Sequence, residues 1–175
     1  KIVFVMEGTF HIPVTKNKYG SDVNHITIEY PIMIIGAGQE KTTIHGGFKI
    51  KGTKEEKKRL NMQGMTMKGA SQMGLYADNG LSFLCTRMTF TQCGSCGVYA
   101  MNTKGRLINC VITQCEESGI FSSLNALIQV EGDQTKVDGN VTTGYGYGLT
   151  TYATSSKIHL LFPLTKESVS TNNHG

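Results

Sequence analysis

Four groups of residues in this 175-residue chain have types and spacings that could do chemistry. Glu131, Asp133 and Asp138 place three carboxylates within eight residues. Such a cluster could supply oxygen ligands to Ca²⁺, but the spacing is not that of a calcium loop. The plainer reading is a solvated loop. Cys85, Cys93, Cys96, Cys110 and Cys115 crowd into one short stretch and include the CxxC of Cys93-Gly-Ser-Cys96. A zinc site would want a tighter second pair, and a redox pair would want a βαβ unit with a helix start. Neither context is present, so the cysteines read as small buried hydrophobes, with a disulfide or metal as the alternative. Free thiols would point to folding in a reducing compartment.

The third group is aromatic. Tyr76, Tyr99 and Phe121 each follow an aliphatic residue, Leu75, Val98 or Ile120. If the aliphatic residues point inward on strands, the rings point outward. They would form a stripe able to meet sugar rings or another protein, or to lie beneath the segment that carries Tyr145 and Tyr147. The fourth group is basic: Lys49, Lys51, Lys54, Lys57, Lys58 and Arg59, preceded by Lys41, give residues 41–59 a local net charge of +5. Such a patch could meet an acidic polysaccharide, a nucleic acid or a partner. Without interleaved aromatic residues, nucleic acid is the disfavoured partner, and a solvated loop is the simplest account. Gly36-Ala-Gly38 lacks the third glycine and following helix of a dinucleotide site, so it reads as a turn. No cofactor or metal is expected, and no apolar run is long enough to span a membrane.

The elements that position these groups follow from composition and repetition. Glycine is common (21 residues), proline is scarce (3), and no clean helical period of 12 or more residues occurs. That mix predicts short strands joined by tight turns. Met65–Tyr76 aligns without gaps on Met88–Tyr99 and on Cys110–Phe121. Gly74, Gly97 and Gly119 are 23 and 22 residues apart, and Gly148-Leu149 marks a further copy after an insertion. Within the block, apolar residues alternate with threonine and other polar residues, the period of a half-buried strand. A repeat this short does not accommodate a propeller blade or a helical pair. It predicts an all-β solenoid whose successive coils stack like residue on like.

The remaining motifs resemble those of the pectin-lyase-like superfamily. Val5-Met-Glu-Gly-Thr-Phe10 resembles its "E-G-x-[YF]" entry, and Ile34 to Gly46 is similar to its "IxGxGxxxTxIxG" turn. The resemblance covers nearly the whole chain and implies a right-handed parallel β-helix over residues 1–175, as one domain of a longer chain. About seven coils would fit, with excursions at residues 11–25, 52–59 and 131–147. The superfamily includes pectate lyases, polygalacturonases, methylesterases, alginate epimerases, phage tailspikes and non-enzymatic modules. The fold alone does not choose among them.

Enzymes of this kind bring two carboxylates together on neighbouring coils. In the repeat alignment Asp78 lies above Met101 and Ser123, and no acid lies above another acid. Asn102-Thr-Lys104 resembles the start of a polygalacturonase "NTD" but lacks the acid, and Asn173-His174-Gly175 lacks the first glycine of "GHG". The sequence therefore favours a non-enzymatic structural or recognition module of a surface, fibre or virion-like assembly. Such a module would bind a partner protein or glycan through Tyr76, Tyr99 and Phe121. The alternative is a polysaccharide-active lyase, hydrolase or epimerase with its acids on the excursions. The polar stretch after Leu161 offers no evident cap, so neighbouring chains or a homo-oligomer are expected there.

Overall fold

The alternation seen in the sequence builds three short strands per coil, each sending every second side chain inward. The computed structural model describes residues 1–52, 59–143, 145–153 and 155–174. The first wall begins with Ile2–Val5 and Met33–Gly36 and continues through the first halves of Arg59–Lys68 and Ser82–Thr91. Lys104–Ile108, Leu127–Glu131 and Lys157–Leu160 complete it. The second wall contains Gly8–His11, Thr42–His45, the second halves of those two long strands, Val111–Thr113, Lys136–Asp138 and Ser170–Thr171. The third wall is a six-stranded sheet of His25–Ile28, Gly47–Ile50, Leu75–Asp78, Val98–Met101, Ile120–Ser123 and Leu149–Tyr152. Adjacent coils pair in parallel throughout. The one antiparallel pair among the described residues, Thr15–Lys16 with Asp22–Val23, lies in the first excursion.

Register carries the expected stacking. Ile26, Phe48, Leu75, Val98, Ile120 and Leu149 form one inward file. Phe10, Ile44, Met67, Phe90, Ile112 and Val137 form another on the second wall. Leu75, Met67, Phe90, Val98, Ile112 and Ile120 are fully buried in the shared core. Burying each such side chain contributes about 1.5–3 kcal/mol against an exposed reference.

Corners need residues that tolerate the left-handed backbone region. Gly64, Arg87 and Asn109 turn the first wall into the second, with φ of 64°, 49° and 51°. Asn79 and Asn102 turn away from the third wall at φ of 47° and 48°. Such φ values strain a residue with a Cβ. Here the Asn102 amide donates to Asn79 Oδ1 at 2.8 Å, so side-chain ladders offset part of the cost. Gln92 donates to Gln114 Oε1 at the next corner in the same manner, at 3.3 Å.

The cysteines fill the interior. All five are buried and free. Cys93 and Cys115 share an inward position that Ala70 also occupies, and Gly74 and Gly97 leave room for their sulfurs: a Cβ on Gly74 would lie 2.9 Å from Cys93 Sγ. Burial pushes Cys110 up to about 11 and Cys96 up to about 12.

Two ends differ from one another. At the N-terminal end the inward residues of the first coil, among them Phe10 and Ile26, remain open around an apolar cavity of about 480 Å³. At the other end the expected absence of a cap is corrected. Helix Lys166–Val169 is capped by the Thr165 side chain, its Val169 is fully buried, and Ser170–Thr171 pairs with the preceding coil. The polar composition after Leu161 concealed this closure, because two apolar residues, Leu164 and Val169, are enough to make it.

Two outcomes follow from this packing. Gly97→Ala should lower stability by about 2–3 kcal/mol, read as an earlier urea midpoint. Its Cβ would overlap Ile112 Cγ2 and lie 2.9 Å from Gly119 O. A thiol reagent such as DTNB should modify the five cysteines slowly in the native chain and all at once in denaturant. Rapid native labelling would show that the interior file is open.

Candidate functional site

The aromatic residues singled out in the sequence do come together. Thr27, Lys49, Tyr76, Tyr99, Phe121 and Thr150 form one outward file on the third wall. Their strands place them there because Leu75, Val98 and Ile120 point inward and the next residue must point out. The ring centroids of Tyr76 and Tyr99 are 5.3 Å apart, and those of Tyr99 and Phe121 are 4.8 Å apart. Interplanar angles of 40° and 60° show that each ring leans over its neighbour. The file is a tilted stack of half-buried rings, not the flat stripe expected from alternation alone.

Polar groups frame this stack. Lys49 Nζ sits 5.0 Å from the Tyr76 ring centre and closes that end as a cation–π contact. Asp78, one outward position away, accepts from Asn79 Nδ2 at 2.6 Å. Ser123 Oγ donates to the Tyr99 hydroxyl at 3.2 Å. Burial, followed by the charge of Asp78, pushes the Tyr76 phenol up to about 12. The sequence reading missed Lys49 as a member of the ring file. Placing Phe48-Lys-Ile50 beneath Leu75-Tyr-Ala77 in the repeat alignment would have found it. Tyr145 and Tyr147 are 82% and 59% exposed, so both rings of that segment face solvent.

The basic patch disperses. Lys49 lies on the third wall and Lys51 just past the end of its strand, whereas Arg59 opens a first-wall strand opposite Ser82. Burial and then the charges of Lys49 and Lys51 hold His25 below its usual value. Lys54, Lys57 and Lys58 lie outside the described residues.

The three acids of the insertion do not share one element: Asp133 lies exposed in a turn, between strands that carry the other two. Glu131 ends a first-wall strand and accepts from Arg106 Nε at 2.9 Å. Asp138 ends a second-wall strand and accepts from Thr171 at 2.6 Å and Asn172 at 2.8 Å. Those bonds hold its carboxyl below the ordinary range, which suits an anchor for the last coil and not a proton donor. Register places Asp78 against Met101, Glu131 against Ile108 and Asp138 against Thr113. Among the described residues, no group of three His, Cys, Asp or Glu could hold a metal ion. A stack of two imidazoles, His11 on His45 at 4.5 Å, marks the second wall. Burial, then His11 and Lys68, hold His45 below its usual value.

Parallel coils stacked residue on residue, with corners turned by left-handed asparagine, glutamine and glycine, define a parallel β-helix protein with a polar-framed aromatic wall. A family model described as a right-handed beta helix region matches residues 14–162, and the chain belongs to that family. Among solved structures, the chain is similar to the Agl-KA catalytic domain at 18% identity and a TM-score of 0.65, over 88% of this chain and 29% of that one. It is also similar to the catalytic domain of a GH87 alpha-1,3-glucanase in complex with nigerose. That match has 13% identity and a TM-score of 0.53, over 97% of this chain and 33% of that one. The chain thus spans about a third of the length of these solved structures. No curated protein matches it.

These findings correct the favoured sequence reading of a non-enzymatic structural module in a surface, fibre or virion-like assembly. The two solved structures named above, which are similar in fold, are catalytic domains and not structural modules. The physical reason for the error is plain. The repeat dictates which side chains stack inside the coil and says nothing about groups brought in by excursions.

The Tyr76 phenol gives a check on the site geometry. Absorbance titration at 295 nm should show one tyrosine ionising near pH 12, a step removed by Tyr76→Phe. Because the folded value is raised, the neutral phenol's contribution to stability is complete below about pH 10 and is lost between about pH 10 and 12. Titration of every phenol near pH 10 in the folded chain would contradict the packing described.

Proposed function

We propose that this chain is the β-helix core of a polysaccharide-active catalytic domain and that it holds a glycan along the third wall, over Tyr76, Tyr99 and Phe121. The observation that carries the reading is the ring file itself, spaced 5.3 and 4.8 Å and framed by Lys49, Asp78 and Ser123. A sugar presents apolar C–H faces and hydroxyl edges at once, so a wall of slanted rings beside a carboxylate, a hydroxyl and an ammonium matches both. The similarity to the catalytic domain of an alpha-1,3-glucanase supports a glucan as substrate and hydrolysis as the reaction.

Glycoside hydrolysis uses two carboxyl groups, one to protonate the leaving oxygen and one to act as base or nucleophile. Asp78 is the carboxylate that a sugar lying over Tyr76 would meet first. Glu131 is tied to Arg106 and Asp138 is committed to the last coil, so neither is free for that role. A second carboxyl group in this reading comes from outside the regular coils.

The test measures binding and cleavage by the full chain on a panel of soluble α- and β-linked glucans. We expect binding of at least one linkage, and we expect Tyr99→Ala to weaken it about tenfold with the fold retained by circular dichroism. That fold-change corresponds to about 1.4 kcal/mol, within the range of one aromatic contact. Absence of both binding and reducing-end release across the panel would overturn the proposal.

A further inference from the structure

We propose that Tyr152 is a second sugar platform on the third wall, so that a linear glucan crosses the wall obliquely, from the ring file towards the corner where the wall ends. The inference rests on the reading of that wall as a glycan-binding face. It adds a positioning residue that the ring file does not contain, and it gives the bound chain a direction.

Register puts Tyr152 on the same outward face. Asp78, Met101, Ser123 and Tyr152 form a file beside that of Tyr76, Tyr99, Phe121 and Thr150, two residues further along each strand. Leu149 belongs to the inward file, so alternation turns Thr150 and Tyr152 outward together. The two files touch: Ser123 Oγ donates to the Tyr99 hydroxyl at 3.2 Å, and Ser123 pairs in register with Tyr152. Ser123 is 2% exposed although its strand turns it outward, so neighbouring side chains close over it and the wall has no gap there. Tyr152 stands one coil and two residues from Phe121, about 8 Å away by strand geometry. Beyond Phe121 the ring file gives way to Thr150, and the ring that strand Leu149–Tyr152 carries is Tyr152. A glycan that leaves Phe121 finds its next aromatic surface by stepping sideways.

Tyr152 also differs from the file in what it offers. The three rings of the file lean on one another and are half-buried, whereas Tyr152 is 67% exposed. Its backbone is held, because Ser156 Oγ donates to Tyr152 O at 2.7 Å and the strand pairs with Ile120–Ser123. A tyrosine on a fixed backbone has two side-chain torsions to lose on binding, a small entropy cost for a large contact. At the adjoining corner Ser155 Oγ donates to Asn125 Oδ1, which leaves the Asn125 amide N–H groups to donate. A free ring face with an amide donor at the corner beside it suits the apolar face and hydroxyl edge of one hexose.

Isothermal titration of the full chain with nigerose and with a longer α-1,3-linked gluco-oligosaccharide tests this. The disaccharide occupies the file, and the longer chain reaches Tyr152. Variants are Tyr152→Ala, Tyr152→Phe and Tyr99→Ala, with thermal melts to confirm folding. We expect Tyr152→Ala to weaken the longer oligosaccharide about tenfold, to keep nigerose within about twofold and to leave the melt unmoved. Tyr152→Phe should stay within about twofold of wild type for both sugars, and Tyr99→Ala should weaken both. Weakening by Tyr99→Ala but not by Tyr152→Ala would overturn the platform and leave the ring file standing. Weakening by Tyr152→Ala but not by Tyr99→Ala would overturn the oblique path, which needs both. Equal weakening of the two sugars by Tyr152→Ala would overturn it as well, and no binding by the wild-type chain would overturn the path and the wall reading together.

Discussion

Parallel strands in successive coils must place equivalent residues directly over one another, and every other feature of this protein depends on that constraint. Hydrogen bonds between coils hold the spacing at about 4.8 Å. Once Leu75 lies over Phe48 and under Val98, the residue after each of them has no choice of side. The apolar file fixes the polar one. A slip of one residue would turn Leu75, Val98 and Ile120 to solvent and bring Tyr76 and Tyr99 inside. The buried file therefore enforces the order of the outer wall, including the ring stack.

The same constraint explains why small residues sit where they do. At the corner between the second and third walls, one inward position holds Ala70, Cys93 and Cys115, and glycine stands across from it in each coil. A thiol fills the space that a larger side chain would overrun, and a glycine provides the clearance. The cysteines of this chain are thus packing elements. Burial holds Cys96 and Cys110 protonated, and the crowding of all five between Cys85 and Cys115 follows from the coil period. The left-handed corners are the matching expense on the backbone side, and their asparagine and glutamine ladders bond along the same axis as the core files stack.

Function is built from what the constraint leaves free. Outward residues are unconstrained by the core, so the third wall can carry rings, a lysine and an aspartate in adjoining files. Loops at corners vary in length without disturbing the walls, as the longer connection between Asp138 and Leu149 shows. Acids on different walls, such as Glu131 and Asp138, lie close in sequence yet face different directions because a corner separates them. Proximity along a solenoid chain is a poor guide to proximity in space, and equivalence of position within the coil is a good one.

That distinction separates what this sequence determines alone from what tertiary structure decides. The coil period, the inward files, the outward placement of Tyr76, Tyr99 and Phe121 and the pairing of Asp78 with Met101 are all legible in the residues, because alternation and repetition are local properties. The tilt of the rings, the seat of Lys49 on Tyr76, the bond between Arg106 and Glu131 and the closure by Val169 are not legible. Each depends on how side chains settle against their neighbours once the coils are stacked, which repetition does not specify.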